Sequence, residues 1–124
     1  MSQRSQHLHG IIIGGGIGGM ALAAALARVG ISCEIHEQAE VLREVGAGLG
    51  LWFNALIALE RLGVAERVIA LGSREERFEA RTPSGRVLAV TPFPRVMKRF
   101  GIPGNVCVHR ADLLRELMSL TRVA

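Results

Sequence analysis

The stretch from Leu8 to Glu37 restricts the fold more than any other part of the chain. An apolar run, Leu8-His9-Gly10-Ile11-Ile12-Ile13, leads into Gly14-Gly15-Gly16-Ile17-Gly18-Gly19, then into the small-residue run Met20 to Val29, and then into Ile31-Ser32-Cys33-Glu34-Ile35-His36-Glu37. These patterns read as strand, glycine turn, helix and second strand, and a right-handed crossover makes the two strands parallel. Gly14, Gly16 and Gly19 fall on G-x-G-x-x-G, the turn that brings a backbone close to a pyrophosphate at a helix N-terminus. Gly14 allows the tight exit from the strand, Gly16 leaves room for phosphates, and Gly19 lets the helix lie close to the sheet. Gly15, Ile17 and Gly18 complete the turn, where the helix start presents N–H donors.

Glu37 lies eighteen residues after Gly19, close to the ~20 at which an acid at the tip of the second strand meets the adenosine ribose. A carboxylate accepts hydrogen bonds from both ribose hydroxyls and repels a 2′-phosphate, which favours FAD or NAD over NADP. The competing reading is a membrane helix, since Leu8 to Ala27 has no formal charge with His9 neutral and is about the ~20 residues a span needs. Composition argues against it. Five glycines within six positions would cost a helix roughly 1 kcal/mol each relative to alanine, whereas a strand and turn use them. No aromatic belt flanks the segment, so no membrane anchor is expected, and its A-x-A spacing reads as the small-residue face of a continuing helix rather than a secretory cleavage site.

The 124 residues suffice for one domain, and their 49% apolar content with only 4% aromatic residues suits an aliphatic core under an α/β sheet. The net charge of +4 comes from arginines spread along the chain. No stacking aromatics interleave them, so no nucleic-acid partner is expected. Cys33 and Cys107 lie in apolar runs without a C-x-x-C partner and read as buried small hydrophobes, which points to a reducing, cytoplasmic compartment. His7, His9, His36 and His109 lack ligand spacing, and no metal is inferred.

Beyond Glu37, residues 38–50 read as a loop containing Gly46, Gly48 and Gly50. Asn54 reads as the N-cap of a helix over Ala55 to Leu62 that Gly63 stops, and a shorter helix runs from Val64 to Leu71 before Gly72. Phe78 to Thr82 and Arg86 to Val90 form a β-hairpin around Pro83-Ser84-Gly85. Thr91 to Asn105, with its prolines and glycines, reads as loop. Val106-Cys107-Val108 forms a short strand, and Arg110 to Leu120 a closing helix with Leu113, Leu114, Leu117 and Leu120 on one stripe.

Four blocks in this order, Gly14-x-Gly16-x-x-Gly19, Glu37, Arg43-Glu44-Val45-Gly46-Ala47-Gly48-Leu49 leading to Asn54-Ala55, and His109-Arg110-Ala111-Asp112-Leu113-Leu114, resemble the N-terminal part of FAD-dependent aromatic-ring monooxygenases of the salicylate and hydroxybenzoate hydroxylase type. One departure is Phe53, where that family usually has proline. The resemblance implies a Rossmann-like FAD/NAD(P)-binding α/β fold with a parallel sheet, incomplete and carrying a β-hairpin insertion. Residues 1–124 would then be the N-terminal part of an FAD-binding domain with no second domain.

The resemblance also implies that the turn from Gly14 to Gly19 holds the FAD pyrophosphate, that Glu37 binds the ribose, and that Arg110 reaches the cofactor from a helix start; Gly48, among three glycines in five residues, reads as backbone close to the cofactor or to another strand, where packing alone could require it. A guanidinium offers paired planar donors to phosphate or ribose oxygens; the alternative is that Arg110 only caps the sheet or pairs with Asp112 or Glu116. Family members hydroxylate a small aromatic substrate with NADH or NADPH and oxygen. They continue well past this length, with a Gly-Asp motif, an Asp-Gly motif and a substrate-binding sheet that are not in these residues. No catalytic residue is assigned, the segment is expected to be inactive in isolation, and an uncovered apolar face would favour aggregation or a homodimer. Two other readings stay open: an NAD-binding Rossmann oxidoreductase domain, which leaves Gly46 to Gly50 and Arg110 without a role, and a non-catalytic nucleotide-binding or interaction remnant.

Overall fold

A computed structural model describes residues 8–39, 47–101 and 103–121. The chain divides into two compact units, residues 1–45 with 111–124, and residues 46–110.

In the first unit, β1 (His9–Ile13) runs parallel to β2 (Ser32–His36), with Ile12 opposite Ile35. The twelve-residue helix α1 (Ile17–Arg28) connects them and buries Met20, Ala23 and Ala24. Small side chains on that face let the helix approach the strands. The apolar stretch for which a membrane span was the competing reading is broken at the glycine turn into a strand and a helix, and no helix among the described residues is long and apolar enough to cross a membrane. Ile12 is buried, whereas Leu8, Ile11 and Ile13 on the same segment are exposed, Ile13 to 81%. Helix α5 (Arg110–Met118) buries Leu113, Leu114 and Leu117, the stripe expected from its sequence.

In the second unit, β3 (Gly48–Leu51) and β4 (Ser73–Arg74) flank β7 (Val106–His109), both antiparallel to it. Between them come α2 (Phe53–Leu62), α3 (Ala65–Ala70), the hairpin β5 (Arg77–Arg81) and β6 (Val87–Pro92), and α4 (Phe93–Phe100). Leu51, Leu56, Leu59, Val64, Val68, Phe93, Val106 and Val108 are its buried apolar residues. The architecture is mixed α/β. Parallel pairing is confined, among the described residues, to β1 with β2, and the other strands pair antiparallel.

Four local expectations need correction. First, residues 91–105 are not a loop, because Phe93–Phe100 is helical. Pro94 sits in its first turn, where a missing N–H costs nothing, and Gly101 closes it at φ 62°. Phe93, Val96, Met97 and Phe100 recur at i, i+3, i+4 and i+7, the signal that the prolines obscured.

Second, residues 48–50 belong to β3, although the loop reading ran through Gly50; their register comes from β7, far away in sequence. Third, Cys107 is exposed and Cys33 only half-buried, since alternation along β7 buries Val106 and Val108 and turns Cys107 to the other face.

Fourth, Asn54 does not cap α2. The helix begins two residues earlier than Ala55, Trp52 is at the cap position with no side-chain bond, and the Phe53 N–H donates to Asn105 Oδ1 at 3.1 Å. Asn105 is the one buried polar side chain among the described residues, and its own carbonyl accepts from Glu75 N–H at 3.2 Å. It ties the start of α2 to the segment before β7. Replacing Asn105 with Ala should lower the unfolding free energy of this unit by about 1 kcal/mol, the scale of a lost N-cap. An unchanged denaturation midpoint would show that the remote cap contributes nothing.

Candidate functional site

The first two strands and α1 create a concentrated set of donors. Gly14 leaves β1 at φ 104°, a conformation that side chains resist, and its N–H extends the parallel ladder by donating to His36 O at 2.7 Å. Gly16 takes an extended conformation at the N-cap of α1 and accepts from Met20 N–H at 2.9 Å. The helix start has neither a side-chain cap nor an acidic residue in its first turn, so the N–H groups of Ile17, Gly18 and Gly19 point outward at the positive end of the helix dipole.

The close approach assigned to Gly19 is met literally. A Cβ placed there would lie 1.9 Å from the Gly14 carbonyl oxygen and 3.3 Å from Ile12 Cγ2. At Gly18, one position earlier, a Cβ would meet nothing within 4 Å; packing does not demand that glycine.

Glu37 follows β2 directly, and its carboxylate reaches across to the turn: Oε2 accepts from Gly15 N–H at 2.6 Å and Oε1 from Ala39 N–H at 3.0 Å. The N–H groups of Ala39 and Gly15, in that order, and lastly that of Gln38, hold its carboxyl below the ordinary 4.5 against the opposing effect of desolvation. The group is thus ionised throughout the neutral and mildly acidic range. An acid and a glycine turn that are 22 residues apart in sequence form one constellation: backbone donors for an anion beside a charged acceptor for hydroxyls.

The other two candidates come together in the second unit. Gly48 is in register with His109, and one step along the ladder Arg110 N–H donates to Ala47 O at 3.3 Å. Side-chain packing does not require the glycine, since a Cβ at Gly48 would make only ordinary contact with Cys107 Sγ at 3.6 Å. Arg110 is half-buried at the start of α5. Asp112, considered as a surface partner for it, pairs instead with Arg115 at 2.8 Å. Gly46, with Arg43 and Glu44, lies outside the described residues.

Asn105 is the residue that sequence reasoning missed, and it supports the fold of the second unit rather than contacting the turn. No local pattern marks it, since the helix it caps begins 52 positions earlier. The known departure at Phe53 is the nearest thing to a signal: a proline there would have no N–H to satisfy, and a phenylalanine does.

A family model described as FAD binding domain matches residues 8–119. The 3-amino-4-hydroxybenzoate 2-monooxygenase of Streptomyces platensis is 40% identical over 111 residues, which cover 88% of this chain and 28% of that protein. The 3-hydroxybenzoate 6-hydroxylase of Polaromonas naphthalenivorans is 35% identical over 120 residues, covering 95% of this chain and 30% of that one. Among solved structures, a Klebsiella pneumoniae HpxO variant complexed with FAD superposes with a TM-score of 0.78 at 29% identity, over 91% of this chain and 29% of its own. The chain thus spans less than a third of the length of each.

Proposed function

The chain belongs to the FAD binding domain family of flavin-dependent aromatic-ring monooxygenases, and from that premise we propose that residues 1–124 form the part of such an enzyme that grips the adenosine and pyrophosphate of FAD. Bound FAD supplies the redox and oxygen chemistry. This chain's own residues bind and orient. In this reading the backbone from Gly14 to Gly19, through Gly15, Gly16, Ile17 and Gly18, presents its donors to the pyrophosphate, and Glu37 accepts from the ribose hydroxyls. Gly48 leaves backbone accessible to the cofactor, and Arg110 offers its guanidinium to phosphate or ribose oxygens.

The observation that carries the proposal is the 2.6 Å bond between Glu37 and Gly15 N–H. It puts the acid at the turn, where a dinucleotide's ribose and pyrophosphate are neighbours. The uncapped start of α1 and the absence of a nearby acid in its first turn suit an anionic group in the same place. A full-length enzyme of this type would take electrons from NADH or NADPH and hydroxylate an aromatic ring. That activity needs a pocket that shields the flavin from water and holds the substrate beside it. The matched relatives extend more than twice as far again, so the 124-residue segment is proposed to bind cofactor without turning over substrate.

Titration of the purified chain with FAD, ADP and NAD tests this. Bound flavin should shift its absorption bands, ADP should displace it, and incubation with FAD, NADH or NADPH and a panel of hydroxybenzoates should give no product above the free-flavin control. Tight NAD binding with no FAD binding would instead favour the dehydrogenase reading, and hydroxylation at an enzymatic rate would overturn the view that the segment only binds.

A further inference from the structure

The bonds made by the Glu37 carboxylate serve the protein even without a ligand. Gly14, Gly15 and Gly16 are three consecutive residues with the largest backbone freedom to lose, and they must hold one conformation for the N–H groups beyond them to converge. Neighbouring structure secures the two outer glycines: Gly14 N–H bonds His36 O, and Gly16 O accepts from Met20 N–H. The middle one, Gly15, is buried, and its N–H bonds the Glu37 Oε2 at 2.6 Å. This short, charge-assisted bond spares it the cost of a buried unpaired donor. Ala39 N–H, at 3.0 Å from Oε1, fixes the second oxygen and so the plane of the carboxylate.

An ionised carboxylate has about four acceptor sites. Gly15 and Ala39 take one on each oxygen and the Gln38 N–H also bonds the carboxylate, which leaves room for a ribose hydroxyl without displacing Gly15. We propose that Glu37 is a positioning residue for the glycine turn as well as the ribose acceptor: its carboxylate holds Gly15 in the binding conformation before a ligand arrives and keeps that bond while its remaining acceptor capacity receives the ribose. The ribose half of this rests on the function proposed above; the brace on Gly15 does not.

The test compares the parent chain with Glu37→Gln, using ADP and 2′,3′-dideoxy-ADP as ligands and the Gly15 amide proton as a reporter. Glutamine keeps the length and removes the charge, so Gly15 N–H faces either an amide donor or a neutral, weaker acceptor in place of the carboxylate. In the ligand-free parent the Gly15 amide proton should resonate downfield and exchange slowly, and both properties should persist with saturating ADP. In Glu37→Gln it should move upfield and exchange faster while the circular dichroism is unchanged.

Dideoxy-ADP has no hydroxyls for Glu37 to receive, yet the substitution should weaken its binding about tenfold, the scale for losing a bond to a charged group. If Glu37→Gln weakens ADP alone and leaves dideoxy-ADP unaffected, the acid acts only at the ribose and the brace is refuted. A Gly15 amide signal that is the same in both proteins refutes it too, and one that is lost on ADP saturation refutes simultaneous bonding. If neither ligand binds the parent, the ribose reading fails and the Gly15 amide still decides the brace.

Discussion

Replacing Gly19 with alanine is expected to destabilise the first unit by at least the ~1–3 kcal/mol typical of overpacking, and to abolish dinucleotide binding with it. The new Cβ would sit 1.9 Å from the carbonyl oxygen of Gly14, well inside any tolerated contact. The obstacle is backbone, in a turn held by the bonds from Gly14 N–H to His36 O and from Gly15 N–H to Glu37. No rotamer change can relieve it; either α1 shifts away from β1 or the turn opens. Gly18→Ala supplies the control. It lies in the same helix one residue earlier, has open space around it, and should stabilise the helix by up to ~1 kcal/mol, as a glycine-to-alanine change does when nothing opposes it. Denaturation followed by circular dichroism, with amide exchange along α1, measures both. Equal effects at positions 18 and 19 would show that the tight packing of α1 on β1 is not real.

What could be read from the sequence follows from how far apart the cooperating residues lie. The first strand, turn, helix and second strand are contiguous in sequence, so the pattern and its reasons are visible together. Glu37 was placed by a spacing rule, and the bond to Gly15 supports that placement. Pairing of β3 with β7 brings Leu51 opposite Val106, and glycines at 48 and 50 hide the alternation that would have marked the strand.

The remote cap on α2 is the clearest limit. Asn54 has the right chemistry in the right neighbourhood, but Phe53 already has its N–H satisfied by Asn105, so the helix starts two residues sooner. In α4 the prolines were given more weight than the i, i+3, i+4, i+7 spacing, although a first-turn proline is compatible with a helix. Arg110 rests on the resemblance alone, and Gly48 on the density of glycines around it. Their adjacency, through the bond from Arg110 N–H to Ala47 O, depends on strand pairing that no local window contains.

Gly16→Val should separate binding from folding, with a larger loss of FAD affinity than any single polar contact could produce. Gly16 lies at φ −74° and ψ −174°, ordinary extended backbone that a β-branched residue adopts without strain. It precedes the helix and its own contribution to the fold, the carbonyl that accepts from Met20 N–H, is independent of the side chain. Folding should therefore survive, in contrast to Gly19→Ala. A pyrophosphate that uses the N–H groups at the start of α1 must come against the Gly16 backbone, and a valine side chain would stand in that approach while leaving every donor in place. Calorimetric titration with FAD and with ADP should show no detectable binding by Gly16→Val under conditions in which the parent saturates, with an unchanged far-UV spectrum and denaturation midpoint. Retained affinity for both ligands would mean that the phosphates do not lie against this turn, and the proposed site would have to be abandoned even though the fold around it stands.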